Sequence, residues 1–347
     1  MAYATFNKPS LHFNTKLYTG NGSTNAITGV GHQPDFTWIK RRDASGNHGL
    51  YDAVRGVLKR LQSDQNSAEA TTADSLTAFG TDGFTMGSNS SYNGSGQTYA
   101  SWNWKANGAG SANTDGTINT TVSVNTTAGF SIVKWTGTTS NGTIGHGLGA
   151  TPSLFISKSM AGNHDWGVYH KSIGIGSSTL LNSSNASDTD ATYYGGTSPT
   201  STIMGLGTAN ATNASGNMIG YAFAEKKGYS KFATYTGNGN ANGVFVYCGF
   251  KPAWIMIKCS SHSGDGWHIR DTKRSPINVV DDSLYANSNN AEVTNNTALT
   301  TDFLSNGFKL RNNDTNDNAS GRAYIFMAFA EEPLVANVGA SIPATAR

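Results

Sequence analysis

Tryptophan, histidine and aspartate are grouped at three places in the sequence, and these groups are the first candidates for chemistry. They span residues 48–52, 164–170 and 267–271. A histidine close to an aspartate, as in His48 and Asp52, has the residue types of a general acid–base pair. No serine or cysteine nucleophile motif accompanies the groups, and no histidine or cysteine spacing is typical of a metal site. We therefore expect no enzymatic activity, no metal and no cofactor.

The same groups carry aromatic rings that could stack on sugars. Trp166 and Trp267 lie beside polar loops that differ between the groups, so these rings, with His164 and His268, are the candidate ligand-binding residues. Other tryptophans recur as Trp, Phe or Tyr at equivalent places, which is typical of core positions. The tryptophans assigned to the core in this way are Trp38, Trp104, Trp135 and Trp254.

A segment that leads into a strand occurs three times and defines a repeat of roughly a hundred residues. In each copy a glycine precedes a proline by three residues, and the following strand ends in lysine. The segment recurs although the neighbouring loops differ, which favours a structural turn over a ligand-binding loop, because glycine permits positive φ and proline suits the start of a strand. The predicted turn residues are Gly31, Pro34, Gly149, Pro152, Gly249 and Pro252.

Two further residue types at the strand ends allow expectations of their own. The recurrent lysines Lys40, Lys158 and Lys258 could meet an acidic partner, but a solvated charge is the preferred interpretation at a strand end. Cys248 and Cys259 lie near opposite ends of one predicted strand, which places them too far apart for a disulfide. We expect both cysteines to be reduced and structural.

Short strands with frequent turn signals dominate each copy and predict an all-β fold. Asp82-Gly83 and Asn306-Gly307 predict tight hairpins in the first and third copies, whereas the second copy lacks this signal. The expected architecture is three tandem antiparallel β-sandwich modules of jelly-roll type. A short helix is expected only over residues 52–61, where apolar residues fall at helical spacing.

The repeat divides the chain into units that we number as modules 1 to 3. A Gly-, Ala-, Ser-, Asn- and Thr-rich stretch between the first two modules predicts a linker, and the last residues predict an extended tail. The expected boundaries are 1–107 for module 1, 108–121 for the linker, 122–228 for module 2, 229–333 for module 3 and 334–347 for the tail.

Composition excludes several classes of function. Only 13% of the 347 residues are charged, and the net charge is +2 with no basic block, so no positive patch for nucleic acid is expected. The first residues have no apolar segment typical of a secretory signal, and no apolar run has the length of a membrane span. We expect no membrane insertion.

Several motifs together resemble the repeated modules of virion structural proteins from marine tailed phages, including those of cyanobacteria and pelagic bacteria. These motifs are Tyr18-Thr-Gly-Asn-Gly22, Gly145-His-Gly-Leu-Gly-Ala-Thr-Pro152, the Asp-Gly-Phe hairpin and the Ala-Phe-Ala-Glu segments at 222–225 and 328–331. The resemblance covers nearly the whole chain. It implies a protein of the particle surface, made in the host cytoplasm, and it implies no catalytic residues.

Three roles remain open within this resemblance. The first is a fibre- or spike-like appendage that contacts the host surface or its glycans through loops at 41–50, 159–165 and 259–266, which we call the divergent loops. The second is a capsid decoration protein with a purely structural role, and the third and weakest is a polysaccharide-degrading enzyme. Other virion proteins are the expected partners. A homotrimer is favoured, although three copies could also give one chain a pseudo-threefold shape.

Overall fold

The chain folds almost entirely into antiparallel β-strands, which confirms the predicted all-β class. The computed structural model describes Phe6 and residues 8–333, so the predicted tail lies outside the described residues. Within the described part, the helical elements are a 3-10 turn at Pro9–Leu11 and two four-residue helices, α1 (Ser90–Asn93) and α2 (Asn210–Asn213).

The helix predicted over residues 52–61 is wrong. The chain turns after Asp52, because its carboxylate accepts hydrogen bonds from the backbone N–H groups of Val54 and Arg55 at 3.1 and 2.8 Å. An aspartate that bonds to the backbone a few residues ahead stabilises a turn in competition with a helix. The apolar spacing was therefore a weaker signal than the aspartate at its start.

Module 1 contains nine strands. Its first strand pairs with its last, as expected for a closed sandwich topology. The strands are β1 (Phe13–Thr19), β2 (Asn25–Thr28), β3 (Phe36–Arg41), β4 (Gly49–Asp52), β5 (Lys59–Arg60), β6 (Ala70–Thr71), β7 (Leu76–Gly80), β8 (Gly83–Met86) and β9 (Thr98–Trp104).

Module 2 begins earlier than predicted, because part of the expected linker is a strand. Ser111–Asn113 pairs with the strand that follows it and extends the edge of the module 2 sheet. The strands are β10 (Ser111–Asn113), β11 (Thr120–Asn125), β12 (Phe130–Gly137), β13 (Gly142–Gly145), β14 (Leu154–Ser159), β15 (Gly167–His170), β16 (Ser177–Leu180), β17 (Asp188–Thr189), β18 (Ile203–Leu206) and β19 (Gly216–Phe223).

Module 3 follows with only a short connection. Its last strand is the longest in the described part of the chain and pairs with two neighbours. The strands are β20 (Ser230–Thr236), β21 (Phe245–Tyr247), β22 (Phe250–Cys259), β23 (Trp267–Asp271), β24 (Leu284–Tyr285), β25 (Thr301–Leu304), β26 (Gly307–Leu310) and β27 (Ala323–Pro333).

The same strand order occurs in the main sheet of each module. The order β1-β9-β3-β4 in the first sheet corresponds to β12-β19-β14-β15 in the second and β20-β27-β22-β23 in the third. A smaller sheet accompanies each one: β2-β8-β7, β13-β18 and β21-β26-β25. Both predicted hairpins form, as β7–β8 and β25–β26, and module 2 lacks the corresponding hairpin strand.

The recurrent glycines share a backbone conformation that is consistent with a turn. Gly31, Gly149 and Gly249 have φ of 88°, 65° and 82°, in the region that glycine alone adopts without strain. A second glycine recurs after an aromatic residue and a threonine, as Gly20, Gly137 and Gly237. It is required because two backbone segments approach each other closely. A Cβ on Gly137 would lie 1.9 Å from the Ala214 carbonyl oxygen, so two backbone segments touch there.

A buried asparagine fixes this contact in each module. The Asn213 side chain accepts from the Thr138 N–H at 3.0 Å and donates to the carbonyls of Ser140 and Gly207 at 2.7 and 3.0 Å. It thereby ties the loop after β12 to the end of α2. Asn93 and Asn318 make the same kind of bonds in their own modules.

The two faces of each main sheet contact different cores. In β27, Tyr324, Phe326 and Ala328 pack against the small sheet of module 3, whereas Ile325, Met327 and Phe329 face the other modules. The same alternation holds in β19 and β9. Each module is thus a β-sandwich with its own core, and all three main sheets also cover one common core.

Equivalent aromatic residues meet at the centre of the common core. Trp104 of β9, Phe223 of β19 and Phe329 of β27 form a triangle with ring centroids 5.7–6.2 Å apart. This arrangement is the pseudo-threefold alternative that the sequence left open. The modules are therefore not independent domains in tandem, because one apolar core is common to all three.

Core assignments made from the sequence hold for the tryptophans and cysteines. Trp38, Trp104, Trp135 and Trp254 are all buried. Cys248 and Cys259 are free thiols and are also buried. Burial raises the pKa of both thiols, which agrees with a structural role.

We predict that Asn213→Ala lowers the free energy of unfolding by about 2–4 kcal/mol, because it leaves several buried backbone groups without a partner. Urea denaturation monitored by tryptophan fluorescence measures the change. Asn141→Ala is the matched control in the same module, because Asn141 is exposed, and it should change stability by less than about 0.5 kcal/mol. Equal effects of the two substitutions would contradict the role assigned to the buried asparagines.

Candidate functional site

Backbone hydrogen bonds join the three modules in a closed ring. In each module an amide in or beside the Asn-rich loop (66–69, 182–187 and 287–292) donates to a carbonyl two residues after the recurrent lysine of the next module. A head-to-tail contact closes after three steps only when each step is about a third of a turn. The bonds run from Glu69 to Met160, from Ser187 to Ser260 and from Glu292 to Arg42, at 2.9–3.0 Å.

Nitrogen atoms of tryptophan and histidine side chains make contacts across the same three boundaries between modules, which we call the seams. These contacts run in the opposite direction. Trp166 donates its indole N–H to the Gln62 carbonyl of module 1 at 2.8 Å, and Trp267 donates to the Leu180 carbonyl of module 2 at 2.9 Å. His48 contacts the Tyr285 carbonyl of module 3 at 3.0 Å through Nε2. Its Nδ1 accepts from the Trp38 indole, so Nε2 carries the proton.

The placement of Trp166 and Trp267 changes their interpretation. Both rings are buried, at 0% and 2% exposure, and both indole N–H groups are used between modules. Neither ring offers a face on which a sugar could stack. Their position beside variable loops suggested a binding role, but both rings are enclosed between modules.

The two candidate histidines have different surroundings. His268 is fully buried and packs on the Tyr285 ring at 4.6 Å, and burial holds its pKa well below the usual value. His164 is half-exposed in the second divergent loop. Of the four residues that the sequence suggested for ligand binding, only His164 reaches the surface.

A third contact at each seam links a strand of one module to the last main-sheet strand of the next module, which we call its closing strand. The linked strands are β4 and β19, β15 and β27, and β23 and β9. Tyr221 donates to the Asp52 carboxylate at 2.8 Å, and Trp102 donates to the Asp271 carboxylate at 3.1 Å. Each aspartate also forms a fully buried ion pair with an arginine three residues later. The ion pairs satisfy charges that burial would otherwise penalise.

The seam between modules 2 and 3 lacks these charges. His170 replaces the aspartate and donates from Nε2 to the Phe326 carbonyl at 3.2 Å, because its Nδ1 accepts from the Ser172 N–H. Ile173 stands where the arginine would be, and Met327 stands where the other seams have Tyr or Trp. The aspartate, the arginine and the hydrogen-bond donor are thus all replaced at this seam, so neither member of the ion pair is left there without its partner.

The recurrent lysines are buried, so the prediction of solvated charges is wrong. Lys40, Lys158 and Lys258 are 0% exposed and donate only to backbone carbonyls, at 2.7–3.3 Å. Burial lowers the pKa of each to about 8. Two of them contribute to the seams, because Lys40 reaches the Asn289 carbonyl of module 3 and Lys258 reaches the Ser184 carbonyl of module 2.

The geometry separates the candidate acid–base pair. His48 is committed to Trp38 and to module 3, whereas Asp52 is bonded to Arg55 and Tyr221. Among the residues that the structure describes, no group of three or more His, Cys, Asp or Glu could hold a metal ion. None of the described helices is long and apolar enough to cross a membrane.

The divergent loops remain as the candidate functional surface. Each is held by the Asn-rich loop of the preceding module: Gly46 donates to the Asn289 carbonyl, Asn163 accepts from Ala68, and the Ser263 hydroxyl accepts from Ala186, at 2.8–3.0 Å. Equivalent positions in a ring lie at the same level along its axis. The three loops therefore form one polar end of the molecule on a fixed framework.

Comparison with protein families assigns the chain to one family. A model of a domain of unknown function, DUF7483, matches residues 8–333. The chain belongs to the DUF7483 family. The match spans all three modules, so the family domain is the whole ring and not one sandwich. Neither a search among curated proteins nor one among solved structures found a match.

Buried histidines are expected to make the three-module assembly of this DUF7483 protein less stable in acid. Burial lowers the pKa of His48 to about 3 and that of His170 to about 4, both below the value of about 6.5 expected in the unfolded chain. The unfolded chain then binds more protons, so the free energy of unfolding should fall as the pH drops from about 6.5 toward about 4. Urea denaturation at a series of pH values measures this slope.

His170→Asn should reduce that slope by up to about 1.4 kcal/mol per pH unit between about pH 6.5 and pH 5. His164→Asn is the matched control, because it makes the same substitution at a half-exposed loop position, and its effect on the slope is subtracted from that of His170→Asn. An unaltered slope in His170→Asn would show that His170 is not a neutral seam residue.

Proposed function

We propose that this protein is a structural component of a bacteriophage particle, exposed at the particle surface as a fibre- or spike-like appendage. The divergent loops are proposed to contact the host surface or its glycans, and other virion proteins to anchor the ring. The motif resemblance to marine phage virion proteins supports the particle assignment. The observation that carries the contact role is one polar end of three dissimilar loops on a recurrent, closed framework.

Rigidity of this framework supports a binding role for the loops. The loops are held at their backbone across the seams, so little conformational entropy has to be lost when a partner binds. The surface is rich in Asn, Ser, Thr and Gly and poor in charge. Such groups hydrogen-bond to hydroxyl-rich partners without a strong long-range field.

Binding is preferred over catalysis for a specific reason. His48 and His170 are held in place by hydrogen bonds at the seams, and Asp52 and Asp271 are paired with arginines. Groups with these commitments have no free lone pair or proton for a substrate. We therefore propose a protein without enzymatic activity, which makes the polysaccharide-degrading alternative the weakest.

A single chain is proposed as the threefold unit. The common core already contains one sheet from each module, so a homotrimer is not required to produce threefold shape. Light scattering of the purified protein would give a mass of one chain under this proposal. A mass of three chains would support the homotrimer that the resemblance favours.

The particle assignment can be tested on phage particles that encode this chain. Antibodies raised against the folded protein should label the outside of intact particles by immunogold electron microscopy, with a few to some tens of copies per particle by quantitative mass spectrometry. Hundreds of copies distributed over the capsid would instead identify a decoration protein. Absence from purified particles would contradict the proposal.

A further inference from the structure

A polar cleft opens beside the first divergent loop. Its volume is about 350 Å³, which is within the range of small-molecule sites. One wall is the loop itself, with Arg41, Ser45 and Asn47, and the other is β5 with the segment around α1. Polar groups dominate the lining, so the cleft does not suit an apolar ligand. The remaining polar residues of the lining include Arg60, Gln62, Ser90, Ser91 and Gln97.

Arg60 is the unusual residue of this cleft. Among the arginines in the described part of the chain, all except Arg60 form an ion pair with Asp or Glu. Its guanidinium lies 6.0 Å from the centre of the Tyr92 ring, and its Nε is buried without a hydrogen-bond partner. Arg60 is therefore the described arginine whose positive charge no carboxylate of the described chain neutralises, and an anionic ligand could supply that carboxylate.

The surroundings of Arg60 are fixed. Tyr92 is fully buried, and its hydroxyl donates to the His48 carbonyl at 3.1 Å. Gln62 is held because its carbonyl accepts the Trp166 indole N–H across a seam. The opposite wall is held by the Gly46 N–H bond to module 3. Both walls of the cleft are therefore anchored by hydrogen bonds between modules.

A second guanidinium lies on the rim. Arg41 is partly exposed and pairs with the exposed carboxylate of Asp43 at 2.8 Å. An exposed pair of this kind contributes little to stability, so Arg41 is available to exchange its partner. Ser45, Ser90 and Ser91 are exposed beside it, and together with Asn47 they offer hydroxyl and amide groups for hydrogen bonds.

The two guanidinium groups of this cleft are specific to module 1 within the described part of the chain. The backbone registers place Ser178 and Ser283 where module 1 has Arg60. Ser159 and Cys259 stand where it has Arg41. Neither of the other modules has a guanidinium at these positions. The site therefore belongs to the part of the molecule that diverges between modules and not to the recurrent framework.

We propose that this cleft binds an anionic saccharide of the host surface, a proposal that rests on the host-contact function above. The ligand carboxylate accepts from the Arg60 guanidinium, supported by Arg41, and the sugar hydroxyls bond to Asn47, Gln97 and the serines. Guanidinium groups match the two oxygens of a carboxylate. A hydroxyl-rich sugar ring suits the uncharged polar groups of the lining.

Titration calorimetry at low ionic strength tests this proposal with the full chain. Trigalacturonate and trimannuronate serve as anionic probes, and maltotriose is the neutral probe. We expect at least one anionic trimer to bind about tenfold or more tightly than maltotriose, and Arg60→Gln to remove that preference. The anionic affinity should also weaken as salt is added.

Arg311→Gln is the matched control, because Arg311 pairs with Asp302 at a partly exposed site outside the cleft. It should leave binding unchanged, and near-ultraviolet circular dichroism should show that both variants remain folded. Three results would overturn the proposal: equal affinity for neutral and anionic trimers, unchanged binding in Arg60→Gln, or equally strong binding of inorganic phosphate.

Failure of this inference and failure of the proposed function give different results. If the anionic trimers show no preference while antibodies label the particle surface, the cleft is not the saccharide site and the particle assignment stands. If the protein is absent from particles but Arg60 still determines binding of the trimers, the cleft proposal survives without its virion setting.

Discussion

The mutual packing of Trp104, Phe223 and Phe329 is the interaction on which the rest of the structure depends. Each ring comes from the closing strand of a different main sheet, and each is 1–2% exposed. Loss of one such ring from a core costs about 3–5 kcal/mol. Because every main sheet directs one of its two faces to this core, no module can cover its apolar surface without the other two.

Apolar packing alone does not determine how the sheets are aligned, and the seams supply that information. Backbone amides and side-chain ring nitrogens cross each seam in fixed directions, and buried carboxylates accept hydrogen bonds across two of the three seams. Such directional contacts penalise any slip between modules, since a slip would leave buried polar groups without partners. The polar end formed by the divergent loops is consequently held as firmly as the core.

The sequence was sufficient to predict several features inside the modules, although not the absence of a helix over residues 52–61. The glycine turns, the Asp-Gly and Asn-Gly hairpins and the buried tryptophans depend on local sterics and recurrence, so they could be read from the chain. It was not sufficient to predict what lies between modules. Lys40 donates to a carbonyl of an Asn-rich loop far along the chain, and Trp166 is a seam residue only because module 1 supplies the carbonyl. The cleft could not be predicted, because its distinguishing feature is that Arg60 has no carboxylate partner in the described part of the chain. No sequence motif reveals such a feature.

The central claim is that three modules form one cooperative body around a common core, and differential scanning calorimetry tests it most directly. One transition, with a ratio of calorimetric to van't Hoff enthalpy near one, is predicted for the whole chain. Three resolved transitions, or a ratio near three, would show that the modules unfold as independent sandwiches and would contradict the account.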